Sequence, residues 1–154
     1  MPFEGLLRQR RIHAHRAMPE EIGRLLALAD RDIRMARSVM AEDWDWAFSI
    51  AYNAVLQAAR AFMYFQGFRP ATDQSHKNTF AFMREALGDE FASLVGYFDR
   101  MRRKRNQAIY DVAGLITEAE AKAIFEKAVE FVELIKARAG GAPRSPRTGS
   151  RTGS

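Results

Sequence analysis

The sequence predicts an all-α protein, an antiparallel up-down bundle of four to five helices. Three observations predict it. Apolar residues recur at helical spacing through five segments. Capping residues and glycines stand at the segment ends. The connections are short, which makes consecutive helices antiparallel neighbours. No segment reads as a convincing strand, and 154 residues fit one domain with a substantial core.

The first helix is predicted over 19–41. Pro19 suits a first helical position, and Glu20 and Glu21 favour the positive end of the helix dipole. Ile22, Leu25, Leu26, Ala29, Ile33, Ala36, Val39 and Met40 form its stripe. The second spans 44–66, with Asp43 as its cap and Gly67 just past its end. It is apolar nearly all round, which marks it as the most buried helix. Its aromatic residues Trp44, Trp46, Phe48, Phe62 and Phe65 are read as core rather than as a base-stacking platform. The third helix covers 74–87 and ends at Gly88. The fourth covers 89–111. The fifth covers 118–138, opens with a capping box from Thr117 to Glu120, and stops at Gly140-Gly141. The longest internal loop is Phe68 to Asp73.

Charge divides the chain into three. Residues 1–17 carry four Arg against Glu4, and residues 138–154 carry four Arg and no acid. The middle, 18–137, has 16 basic and 18 acidic residues, so the net +5 comes from the ends. Residues 1–17 therefore read as a basic leader, free to be flexible. Residues 18–138 form the bundle, and 139–154 form a disordered basic tail. There is no cysteine, which excludes disulfides, zinc–thiolate sites and Cys nucleophiles and fits a reducing cytoplasm. No apolar run reaches the roughly 18 residues that span a bilayer, so no membrane association is expected. The basic N-terminal stretch lacks the apolar segment of a secretory signal. His13 and His15 lie far from any acidic cluster, and neither a metal site nor a cofactor is predicted.

One local exception to the neutral middle stands out. Arg100 to Arg105 packs five basic residues into six positions and runs on through Asn106 to Tyr110-Asp111. The stripe of the fourth helix (Phe91, Leu94, Val95, Phe98, Met101) leads straight into it. At about 100° per residue, Arg105 falls inside that stripe and Arg102 on its flank. An inward charge costs several kcal/mol unless it is paired or faces a polar cleft. The bland alternative pairs Arg105 with an acid such as Asp43 or Asp45. Asn106 and Tyr110 share a face four residues apart. Arg102, Arg103 and Lys104 read either as a solvated face or as a phosphate-binding rim. Asn53 and Arg60 are polar residues on the most buried helix and need partners. His76 reads as a structural or exposed histidine.

These residues resemble the HEPN family, whose name stands for higher eukaryotes and prokaryotes nucleotide-binding. The resemblance rests on Ala51-Tyr52-Asn53-Ala54 with Ala58 to Met63, on the Gly67-Phe68-Arg69-Pro70 loop followed by His76, and on Arg105-Asn106-x-x-x-Tyr110-Asp111. It covers about residues 20–137.

Family members that cut RNA carry Arg, a polar residue, three variable residues and then His. Two protomers join these motifs in a cleft without metal. By resemblance Arg105, Asn106 and Tyr110 take the catalytic positions, with Arg102, Arg103 and Arg105 on phosphate and Asp111, Asn53 and Arg60 in support. Tyr110 in the His position departs from the pattern. A phenol near pKa 10 is a poor base at neutral pH.

The resemblance thus implies an RNA- or nucleotide-binding homodimer. It extends to a metal-independent endoribonuclease, weakened or altered by Tyr110. It also extends to a toxin-like component of a prokaryotic defence or toxin–antitoxin pair, with a nucleotidyltransferase as partner. The rival reading is a non-catalytic dimeric interaction module, in which Arg105, Asn106 and Tyr110 form a structural polar network.

Overall fold

A computed structural model describes residues 2–110 and 114–140, apart from the side chains of Ile109 and Tyr110. The bundle is built from α2 (Pro19–Val39), α3 (Trp44–Gln66), α4 (Ser75–Leu87), α5 (Ala92–Tyr110) and α6 (Glu118–Arg138). A short helix α1 (Glu4–Arg8) and two strands, β1 (Ile12–Ala14) and β2 (Phe68–Pro70), complete the described fold.

The helix ends follow from their capping chemistry. The Asp43 side chain accepts from the Trp46 amide at 3.0 Å at the start of α3. Gly67 closes α3 with φ 96°, in the left-handed region that glycine enters without a Cβ penalty. Thr117 and Glu120 exchange side-chain-to-amide bonds of 3.1 and 2.9 Å, the reciprocal box expected for α6. The predicted fourth helix starts three residues later than expected. Asp89–Phe91 forms a 3-10 turn instead, entered from Gly88 at φ 77°.

α3 is the central element. It packs against α2, α4, α5 and α6. Phe48, Tyr52, Val55 and Met63 are fully enclosed, with Phe98 of α5 and Phe131 of α6 beside them in one core. The near-uniform apolar surface of α3 is thereby explained: most of its faces have a neighbour to bury against, and a stripe of Asn53, Gln57, Arg60 and Tyr64 is left partly exposed. Its first turn is different. Trp44 and Trp46 are 42 % and 56 % exposed, against the expectation that both lie in the core. Asp45 between them accepts from the backbone amides of Gly114 and Ile116.

The leader is also corrected. Residues 2–17 fold onto the bundle rather than standing apart from it. Phe3 stacks on Phe82 at 4.3 Å and meets Phe68 at 5.3 Å, while Leu6 and Ile12 join the core. β1 pairs with β2 in antiparallel register, Ile12 opposite Pro70 and Ala14 opposite Phe68. The ladder continues through His15 N–H to the Gly67 carbonyl and Ala71 N–H to the Arg11 carbonyl. Half of the predicted loop at 68–73 is therefore a strand. Pro70 at its end supplies no donor, which an edge position tolerates. Residues 141–154, predicted as a tail, lie outside the described residues. Among the described residues no helix is long and apolar enough to cross a membrane.

Candidate functional site

α5 lies against α3 through Val95, Phe98 and Met101, and the same face carries Arg105 on toward α3. The guanidinium is half-buried. Its Nη2 donates to Asn53 Oδ1 at 3.4 Å, and its Cζ lies 5.7 Å from the centre of the Tyr52 ring. Its Nε is buried with no hydrogen-bond partner among the described residues. Among those residues no carboxylate pairs with Arg105. Asp43 is occupied as the α3 cap, and Asp45 accepts from the amides of Gly114 at 2.6 Å and Ile116 at 3.0 Å. The internal ion pair that would have made Arg105 a purely structural residue is therefore missing among the described residues.

Its basic neighbours are treated differently. Arg102 reaches Asp99 at 3.2 Å and Lys104 reaches Glu120 at 2.7 Å. Arg103 is exposed and makes none of these contacts. Arg60 is exposed on α3.

The layer next to Arg105 was not assigned from the sequence. The Tyr52 hydroxyl and His76 Nδ1 are 3.2 Å apart, so Arg105, Tyr52 and His76 form a stack running from α5 across α3 to the start of α4. Burial raises the Tyr52 pKa, and the positive charges of Arg105 and Arg102 only partly oppose it, so the group stays a neutral phenol. His76 is pushed the other way. Burial lowers its pKa below the ordinary 6.5, and Arg105, Arg102 and Arg60 lower it further. It is accordingly neutral at physiological pH.

His76 also lines a cavity of about 270 Å³, with Gln74, Ser75, Lys77, Arg102 and Asn106. A second cavity of about 230 Å³ adjoins it across Gln74 and Lys77 and is walled by Arg10, Arg11 and Asp73, among others. Arg102 and Asn106 thus sit in one wall of the first cavity, opposite α4. Arg105 with Asn53 lies behind it, through Tyr52 and His76. Tyr110 ends α5, but its side chain and the whole of Asp111 lie outside the described residues.

Sequence reasoning missed Tyr52 and His76 as site residues. Tyr52 entered the sequence reading only within the Ala51 to Ala54 stretch, with no role of its own, and His76 only as a structural or exposed histidine. A signal was present in the Tyr52-Asn53 pair, two adjacent polar groups on the most buried helix.

A helical bundle whose inward-facing arginine has no carboxylate partner among the described residues, behind a cavity walled by cations, an amide and an imidazole, is a bundle with an anion-competent polar cleft. The chain belongs to the HEPN domain family, whose model matches residues 22–138. The match begins within α2 and ends with α6, so α1 and β1 lie outside it. Comparison with curated proteins gives no match.

Proposed function

We propose that the cleft between α4 and α5 binds a phosphate of RNA or of a nucleotide. One observation carries the reading: Arg105 holds a positive charge beside Asn53 and Tyr52 with no carboxylate partner among the described residues. A half-buried charge whose Nε is left without a partner among the described residues gains from an anion that completes it. Arg102 and Lys77 offer cations from two sides of the open cavity, Asn106 offers a neutral donor, and Arg105 sets the potential behind them. Membership of a nucleotide- and RNA-related family agrees with this chemistry. The finer reading is a toxin-like or defence role with a nucleotidyltransferase partner. It rests on the family resemblance, and so does the Tyr110 contribution.

The test is binding of a fluorescent single-stranded oligoribonucleotide to the purified chain. Arg105→Ala is expected to weaken it about tenfold or more, which is about 1.4 kcal/mol, with an unchanged helical spectrum. Equal affinity in the variant would remove Arg105 from the site.

The dimeric interaction module is favoured by a different observation, the exposure of Trp44 and Trp46 on one turn. Under that reading, sedimentation velocity finds a dimer that Trp46→Ala weakens, and RNA binding is absent from the start.

A further inference from the structure

The turn between α1 and β1 carries two arginines, Arg10 and Arg11, that lie outside the family match, which begins at residue 22. The turn is anchored on both sides. Leu6 and Ile12 flank it in the core, and Ala71 N–H donates to the Arg11 carbonyl at 2.9 Å. The Arg11 side chain is held as well. Its Nε donates to Asn78 Oδ1 at 2.8 Å, and Asn78 Nδ2 donates in turn to the Asp73 carbonyl at 2.8 Å. Asn78 is buried, so a neutral amide orients the guanidinium without neutralising it. Arg11, Arg10 and Lys77 line one cavity of about 230 Å³. Asp73 shares that wall, yet its carboxylate pairs with none of the three among the described residues. Backbone strain falls at the same place. The described non-glycine residues with positive φ are Phe3, Arg10 and Gln74, and Arg10 at 59° and Gln74 at 57° both line this cavity. Gln74 and Lys77 also line the cavity of the α4–α5 cleft. Lys77 therefore serves two adjoining cation-walled spaces, one completed by Arg102 and the other by Arg10 and Arg11. Two spaces divided by side chains suit two phosphates held apart by a nucleoside, whereas a directly joined diphosphate fits within one.

We propose that the leader turn builds a second phosphate subsite, in which Arg10, Arg11 and Lys77 take the phosphate next to the one held in the α4–α5 cleft. The ligand is then an oligonucleotide rather than a mononucleotide. The inference rests on the phosphate-binding reading of that cleft and adds the ligand's class to it. It also gives the leader a role in binding: its packing on the bundle is what brings Arg10 and Arg11 to the start of α4. No side chain caps that helix start, so the dipole of α4 adds to the positive potential there.

The experiment measures binding to the full chain at low salt by calorimetry. Three probes are the dinucleotide UpU, with a single phosphate, and the same dinucleotide carrying one further phosphate at its 5′ or at its 3′ end. The added phosphate brings charge without another base to stack. The wild type is expected to bind one of the two phosphorylated forms about tenfold or more tighter than UpU, as charge-assisted hydrogen bonds allow. Arg10→Asn keeps a residue type that tolerates positive φ and removes the charge. It is expected to lose most of that gain while binding UpU as the wild type does. Arg11→Gln should behave likewise, with melting temperature recorded beside it because Arg11 also ties the leader to Asn78. UDP against UMP is the arm for a directly joined diphosphate, and no comparable gain is expected there. Equal wild-type affinity for all three dinucleotides overturns the proposal and keeps the phosphate-binding reading of the cleft. A full gain retained by Arg10→Asn overturns it as well. A gain for UDP over UMP that Arg10→Asn abolishes overturns the oligonucleotide assignment. A wild type that binds none of the probes overturns both readings.

Discussion

Arg105 is the residue on which the α4–α5 cleft turns. Continuing the stripe of α5 places it inward, because helical spacing alone puts position 105 below 98 and 101. What it meets there was not legible, since the candidate partners Asp43 and Asp45 turned out to serve backbone amides. A sequence gives spacing along one helix but not the alignment of two, so the Arg105–Asn53 contact across 52 positions could only be guessed. His76 carries a pH prediction of its own. Its pKa is lower in the folded chain than the ordinary 6.5, so between that value and the folded one the unfolded chain binds more protons. Stability from this group is then present above pH 6.5 and is lost as pH falls toward the folded pKa. Urea melts of wild type and His76→Gln at a series of pH values should show this acid-side slope flattened in the variant. Equal slopes would remove His76 as its source.

At the scale of elements, boundaries that depend on a capping residue were readable and those that depend on tertiary pairing were not. Asp43, Gly67 and Thr117 do locally what their residue types predict. β1 and β2 are three residues each, too short for an alternating pattern to register, and each exists only because the other is alongside. Asp45 likewise works across elements, since its carboxylate closes the connection between α5 and α6. Asp45→Ala should cost about 1–3 kcal/mol, because two backbone amides lose a charged acceptor. Thr117→Ala should cost about 1 kcal/mol as a lost cap. Chemical denaturation measures both. If Asp45→Ala proved as stable as wild type, the carboxylate would not be what holds that connection.

For the whole molecule, the bundle was legible because its helices are long and strongly patterned. The leader was misread because its charge masked its packing. Phe3, Leu6 and Ile12 are scattered among four arginines, yet they close the end of the core near α4. Ile12 is 1 % exposed, so Ile12→Ala should destabilise the entire fold by about 2–5 kcal/mol, which thermal melting would detect. A melt like that of wild type would return the leader to the status of an appendage. The reading of the α4–α5 cleft as a phosphate site stands on Arg105. Its most direct test is the salt dependence of oligoribonucleotide binding, measured for wild type and for Arg105→Ala. The expected wild-type affinity falls linearly on logarithmic axes, by about 0.7 per phosphate contact, and the Arg105→Ala complex is much weaker at every salt concentration. Identical curves for the two proteins, or no binding by the wild type at low salt, would contradict it.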